Sequence, residues 1–175
     1  MRILVAYSTT DGHTRRICER LRAVIEAQGH EVSLASVSEL TGADLAEFGQ
    51  IVIGASVRYG RHSRQFVDFI QRNAGVLNSR PGAFFSVSVS ARKAKNRRPQ
   101  TNSYIRAFLK QVAWRPQQLR VFAGKIDYPR YGFLDRTIIR LAMRLTGGPA
   151  GRDAVVNFTD WNRVDEFGRI IGQKE

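Results

Sequence analysis

Two short runs of this chain, Ile3-Leu4-Val5-Ala6-Tyr7 and Ile51-Val52-Ile53-Gly54-Ala55, are apolar throughout, and a third, Ala83 to Val89, is interrupted only by serines. A strand with one face in water alternates polar and apolar residues, so unbroken runs of this length mark strands covered on both faces, as in a parallel sheet packed between helices. The segments between them have helical periodicity. Ile17, Cys18, Leu21, Val24 and Ile25 share one face before Gly29 ends the helix; Phe66, Val67 and Ile70 mark another; Tyr104, Ile105, Phe108, Leu109 and Val112 a third. Val32 and Leu34 alternate with serine as an edge strand does, a weak helix is expected from Ala43 to Phe48, and Leu119 to Ala123 reads as a fifth strand. Thr159-Asp160 caps a last helix that turns Trp161, Val164 and Ile171 inward and stops near Gly172.

Strands alternating with helices predict an α/β class chain, a doubly wound five-stranded parallel sheet of order 2-1-3-4-5, because parallel neighbours need right-handed crossovers. One domain over residues 1–175 is expected, with 43% hydrophobic composition sufficient for its core. Residues 125–153 exceed any ordinary connection and read as an insertion after or within the fifth strand.

The charge constrains partners. Lys and Arg number 28 against 15 Asp and Glu, a net charge of +13, which points to an anionic partner: nucleic acid, acidic lipid or a polycarboxylate. Arg92-Lys93-Ala94-Lys95-Asn96-Arg97-Arg98 concentrates five cations in seven residues, as a binding loop or as solvated surface. The run lacks interleaved aromatics for stacking bases, so nucleic acid is not the expected partner. With no stretch of about 18 to 20 apolar residues and a single cysteine, the chain is expected in the cytoplasm. Cys18 falls on an apolar helix face, a packing position. His13, His30 and His62 are far apart and without ligand-spaced partners, so no metal is expected and surface positions are.

After the first strand, Ser8, Thr9, Thr10, Asp11, Gly12, His13 and Thr14 gather hydroxyls, a glycine and the amides of a helix start. Neutral donors at the positive end of a helix suit a phosphate monoester; a plain Ser/Thr-rich cap is the alternative. The glycines fit neither Gly-x-Gly-x-x-Gly nor an NTP loop, since Gly60 lacks a following Lys-Ser/Thr. Ser8-x-Thr10-x-Gly12-x-Thr14 resembles the FMN phosphate loop of flavodoxins. The resemblance implies that the loops Ala55, Ser56, Val57, Arg58, Tyr59, Gly60 and Ser88, Val89, Ser90, Ala91 hold the flavin ring, with Tyr59 stacked on it.

Further stretches resemble a narrower family, the flavodoxin-like protoporphyrinogen IX dehydrogenases: Val52 to Gly60, Ala91-Arg92-Lys93, Pro99 to Tyr104, Tyr128-Pro129-Arg130-Tyr131 and Thr159-Asp160-Trp161. Thr10 stands where some members carry arginine. The resemblance implies FMN-dependent oxidation of protoporphyrinogen IX with electrons passed to a membrane quinone. Its two propionates would then meet Arg58, Arg92, Lys93, Arg97 and Arg130. Phe133 to Thr146 reads as a basic amphipathic helix with Leu134, Ile138, Leu141 and Leu145 on one face and Arg136, Arg140 and Arg144 on another. Such a helix can lie on an anionic membrane, placing the protein peripherally at the inner face of the cell membrane, or pack on its own domain with its arginines solvated. An NAD(P)H:quinone oxidoreductase of the same fold is the competing enzyme, and the number of subunits, a homo-oligomer included, stays open.

Overall fold

The computed structural model describes residues 1–173, so Lys174 and Glu175 of the expected domain lie outside the described residues. Elements follow in chain order as β1 (Arg2–Ser8), α1 (His13–Glu26), β2 (Glu31–Ser36), α2 (Gly42–Ala46), β3 (Gln50–Arg58) and β4 (Arg61–His62). Then come α3 (Arg64–Arg72), α4 (Ala74–Asn78), β5 (Gly82–Ser88), α5 (Ser103–Gln111), β6 (Gln118–Ala123) and β7 (Lys125–Asp127). The chain closes with α6 (Phe133–Thr146), β8 (Val155–Asn157) and α7 (Trp161–Ile171).

The main sheet runs β2-β1-β3-β5-β6, and these neighbours are all parallel. Counting its five long strands, that is the expected order 2-1-3-4-5. The addition is β4, which folds back antiparallel on the end of β3 and pairs Arg61 with Arg58. Alternate residues of each central strand serve the two faces. Ile3, Val5, Val52 and Phe85 meet Ile17, Leu21 and Ile25 of α1 and Val164 and Phe167 of α7. Leu4, Ile53 and Phe84 meet Phe66, Phe69 and Ile70 of α3 and Ile105 and Phe108 of α5. Gly54 is required by this packing, since a Cβ there would run into the Phe85 ring. Burying strands on both faces is what made them legible as apolar runs.

The insertion is an ordered annex. β7 and β8 form a two-stranded antiparallel ribbon at its base, and Ile126, Tyr128 and Tyr131 make a third small core on which Ile139 and Met143 of α6 pack. The leucine row faces away: Leu134 is 73% exposed, Leu141 58% and Leu145 79%. The arginines are correspondingly not all solvated, for Arg136 donates to the Tyr128 and Tyr131 carbonyls and Arg140 to that of Ala150. Irregular backbone leaves carbonyls open, and the guanidinium fork reaches them.

Two histidines expected on the surface are buried. His30 bonds the Gly172 carbonyl at 2.9 Å, and His62 sits among Phe66, Phe84 and Phe108 with Nε2 2.9 Å from the Ser86 hydroxyl. Isolated histidines carry no periodic signal, so their burial was invisible in the sequence. Cys18 is buried, its thiol pushed above the ordinary range by desolvation, as a packing position requires.

Candidate active site

Between β1 and α1 the chain turns through Thr9 to Gly12, and Gly12 takes a left-handed conformation with φ of 82°. Thr9 Oγ1 accepts the Gly12 N–H at 3.0 Å, which fixes the turn. No side chain caps α1 and no acid stands in its first turn, so the amides there keep their donors free for a ligand. Thr14 is 1% exposed and its hydroxyl lacks a partner, yet it lines a cavity. A buried hydroxyl without a bond is costly, and a phosphate oxygen would satisfy it. Asp11, the one acid of the loop, turns its carboxylate to Arg58 at 3.2 Å.

His13 is fixed differently. Its Nε2 lies 2.7 Å from the Thr159 hydroxyl, whose own proton goes to the Ala123 carbonyl. Thr159 therefore accepts, His13 Nε2 carries the hydrogen, and Nδ1 is left as a buried bare lone pair. Burial first, then Lys125 and Arg16, lower its pKa to about 4. Neutral His13 thus gives no Nδ1 donor to a phosphate.

The cavity above this loop measures about 310 Å³. Ser56, Val57, Arg58, Tyr59 and Gly60 form one wall and Ser88, Val89, Ser90 and Arg92 another, so the loops after β3 and β5 face each other across it. Ser8, Thr10, Gly12, Ala55 and Ala91 do not line it; Ala55 and Ala91 are buried behind the loops, and Thr10 faces a neighbouring cleft. Tyr59 has φ of 50°, a conformation uncommon for a residue with a Cβ, and Gly60 follows at 77°. Its ring is 53% exposed and its hydroxyl bonds the Asp135 carboxylate of α6. At the other end of α6, Arg92 donates to the Thr146 carbonyl and hydroxyl. The helix is thereby tied at both ends over the cavity, where Ile139, Ala142 and Met143 supply an apolar third wall. These residues, with Gly124, Lys125 and Tyr131, were missed as site residues; the length of the insertion was the signal for those of α6 and for Lys125, the Tyr128-Pro129-Arg130-Tyr131 stretch that for Tyr131, and Gly124 had none.

The cations divide by what they already hold. Arg58 pairs with Asp11 and lies 5.1 Å above the Tyr131 ring. Arg97 donates to the carbonyls of Ala91 and Arg92 at 3.1 and 2.8 Å, holding its own loop. Lys93 is exposed outside the cavity, and Arg130 faces a small pocket of about 40 Å³ shared with Asp11, His13 and Arg16. The structure therefore brings Arg58 and Arg92 to the cavity and leaves Lys93, Arg97 and Arg130 off it.

Residues 4–153 match the flavodoxin domain family. A protoporphyrinogen IX dehydrogenase (quinone) of Escherichia coli strain K12 is 41% identical over 171 residues, covering 98% of this chain and 94% of that one. A protein of the same name from Leishmania major is 38% identical, covering 94% of this chain and 71% of its own length. A solved flavodoxin from the domain Archaea superposes with a TM-score of 0.57 across 98% of this chain and 96% of that one, at 15% identity, a likeness of fold alone. The parallel order, the uncapped helix start with its unsatisfied hydroxyl and the near full-length similarity converge: the chain belongs to the flavodoxin domain family, alongside the quinone-linked protoporphyrinogen IX dehydrogenases.

Proposed function

We propose that this chain oxidises protoporphyrinogen IX to protoporphyrin IX with FMN in the 310 Å³ cavity and passes the electrons to a membrane quinone. The similarity to enzymes of that name carries the reading, because it spans nearly the whole of both chains and includes the insertion that walls the cavity. The residues present suit FMN: the Thr14 hydroxyl and free amides of α1 would hold its phosphate, and the Ser56–Gly60 and Ser88–Ser90 loops its ring, with Tyr59 alongside. Bound flavin supplies two-electron oxidation in successive steps; the protein supplies placement and electrostatics. Val57, Ile139 and Met143 give the cavity an apolar lining, and Arg58 lines it with its charge paired to Asp11.

A lipid-borne acceptor calls for contact with the bilayer. Among the described residues no helix is long and apolar enough to cross a membrane, but α6 exposes Leu134, Ile138, Leu141 and Leu145 in one row, with Phe133 exposed at the helix start. Lys93, Lys95 and Arg98 stand exposed on the loop that Arg92 fastens to the end of α6. An apolar row beside free cations suits an anionic membrane surface, where each cation adds about 1 kcal/mol.

The test is anaerobic. Purified protein should show a flavin spectrum that bleaches on mixing with protoporphyrinogen and returns on adding a quinone. Bleaching by NAD(P)H but not by protoporphyrinogen would replace this reading with a nicotinamide-linked quinone reductase.

A further inference from the structure

A cavity of 310 Å³ lies at the small end of ligand sites, which run from about 300 to 1,000 Å³, so it does not hold a flavin and a tetrapyrrole together. Across the Ser56–Gly60 loop lies a second, larger cleft of about 640 Å³. The two adjoin, and Ser56, Arg58, Gly60 and Tyr104 line both. Val67, Ala107 and Phe108 give the second cleft an apolar side, while Arg61 and Arg64 join Arg58 on its rim. Resting on the proposed activity, we infer that this cleft receives the porphyrinogen and that Arg61 and Arg64 bind its two propionates.

The assignment follows from which guanidinium groups have donors to give. Arg92 already makes three hydrogen bonds, at 3.0 to 3.3 Å, and Arg97 two, so carboxylate capture there would break bonds that hold the loop and α6. Arg61 makes no ion pair among the described residues. Arg64 approaches Asp68 only at 3.9 Å, and its side chain is 95% exposed. Arg61 can turn to a ligand without dismantling anything, and Arg64 gives up only the long, solvent-exposed contact with Asp68.

The hairpin adds an independent reason. The positive φ angles of Tyr59 and Gly60 fold β4 back so that Arg61 stands directly opposite Arg58. Like charges in a cross-strand pair repel, and Asp11 offsets only the Arg58 side. A carboxylate over Arg61 removes the remaining repulsion. Buried His62 adds no competing charge, since desolvation holds it neutral near pH 7. The ligand has matching chemistry: an apolar macrocycle with propionates on neighbouring rings, both on one edge. Arginine forks suit such carboxylates, and an apolar wall suits the remainder.

The test compares flavin-loaded wild type with Arg61→Gln/Arg64→Gln, using protoporphyrinogen and its dimethyl ester, which lacks both charges. The double variant should raise the KM for the free acid at least tenfold, leave kcat and flavin content in place, and leave the KM for the ester unmoved. Affinity for the product protoporphyrin, read from its own fluorescence, should fall in parallel, and Arg61→Lys/Arg64→Lys, which keeps the charge without the fork, should recover only part of it. An unchanged KM and product affinity in the Gln variant, with Lys93→Gln raising KM instead, would move the carboxylate site to the 92–98 loop. Wild type whose flavin fails to bleach sinks the proposed activity itself; wild type that bleaches with a KM indifferent to Arg61 and Arg64 sinks only this assignment.

Discussion

Acidification from about pH 7 to about pH 5 should destabilise this protein by about 2 kcal/mol through His62 alone. The ring is 6% exposed, with the centroids of Phe66, Phe84 and Phe108 at 5.9, 5.6 and 5.5 Å, and its Nε2 meets the Ser86 hydroxyl. Burial in that aromatic box lowers its pKa from 6.5 to about 4. The folded pKa is thus depressed, and the unfolded chain takes up the proton first. The contribution of neutral His62 is whole above about pH 6.5, falls as pH drops toward 4, and levels off below. At about pH 5 the unfolded histidine sits roughly one and a half units below its pKa while the folded one is still neutral, and at 1.36 kcal/mol per unit the difference is about 2 kcal/mol. Urea midpoints measured across this range should decline for wild type and decline less for His62→Gln, which keeps an amide for Ser86 but cannot titrate. His13 shifts the same way, through burial and then Lys125 and Arg16, but is more open to solvent and adds less. If His62→Gln loses stability with acid as steeply as wild type, His62 is charged in the folded protein and the aromatic box does not exclude its proton.

Thr14→Val keeps the shape of the side chain and removes the unpaired hydroxyl, so FMN retained through gel filtration should fall, with affinity weakened about tenfold to a hundredfold; undiminished binding would place the phosphate elsewhere. Leu141→Asp/Leu145→Asp alters the exposed row of α6 at positions that do not line the cavity, so it should abolish sedimentation with anionic liposomes and slow turnover with a lipid-borne quinone while sparing a water-soluble acceptor. A second copy of the chain as the partner of that row would instead appear as a wild-type dimer that the variant dissociates. Gly54→Ala drives a methyl into the Phe85 ring and should cost about 1 to 3 kcal/mol in chemical denaturation; a neutral result would mean that the ring can move aside.

The main sheet was legible because its central strands are buried on both faces and its helices on one, and each condition has its own period. What escaped is what has none. β4 is two residues long, and β7 and β8 are three each, too short to display alternation. They are nonetheless what shapes the site: β4 carries Arg61 to the rim of the larger cleft, and the β7–β8 ribbon roots the annex that walls the smaller one. For α6 the period was right, but it could not say which stripe faces the domain. The inner stripe is Ile139 and Met143 with the stems of Arg136 and Arg140, while the leucines look outward. Long arginine stems cover apolar surface while their heads reach carbonyls, so an arginine stripe can be the packed one.

The same behaviour revises what a net charge of +13 means. Arg80 donates to the carbonyls of Ala46, Phe48 and Val76, and Arg115 to those of Val112 and Trp114, as Arg92, Arg97, Arg136 and Arg140 do elsewhere. A carbonyl bond does not neutralise a guanidinium, so each of these still adds to the field that draws an anion toward the protein. It does use up the fork, and a tightly held carboxylate needs forked donors as well as field. Sequence reports the field and hides the bonds, which is why the densest cation run drew the substrate assignment. Counting free donors is what moves the proposed carboxylate site to Arg61 and Arg64, and the exposed Lys93, Lys95 and Arg98 offer charge without geometry, which is what the proposed contact with anionic lipid would ask for.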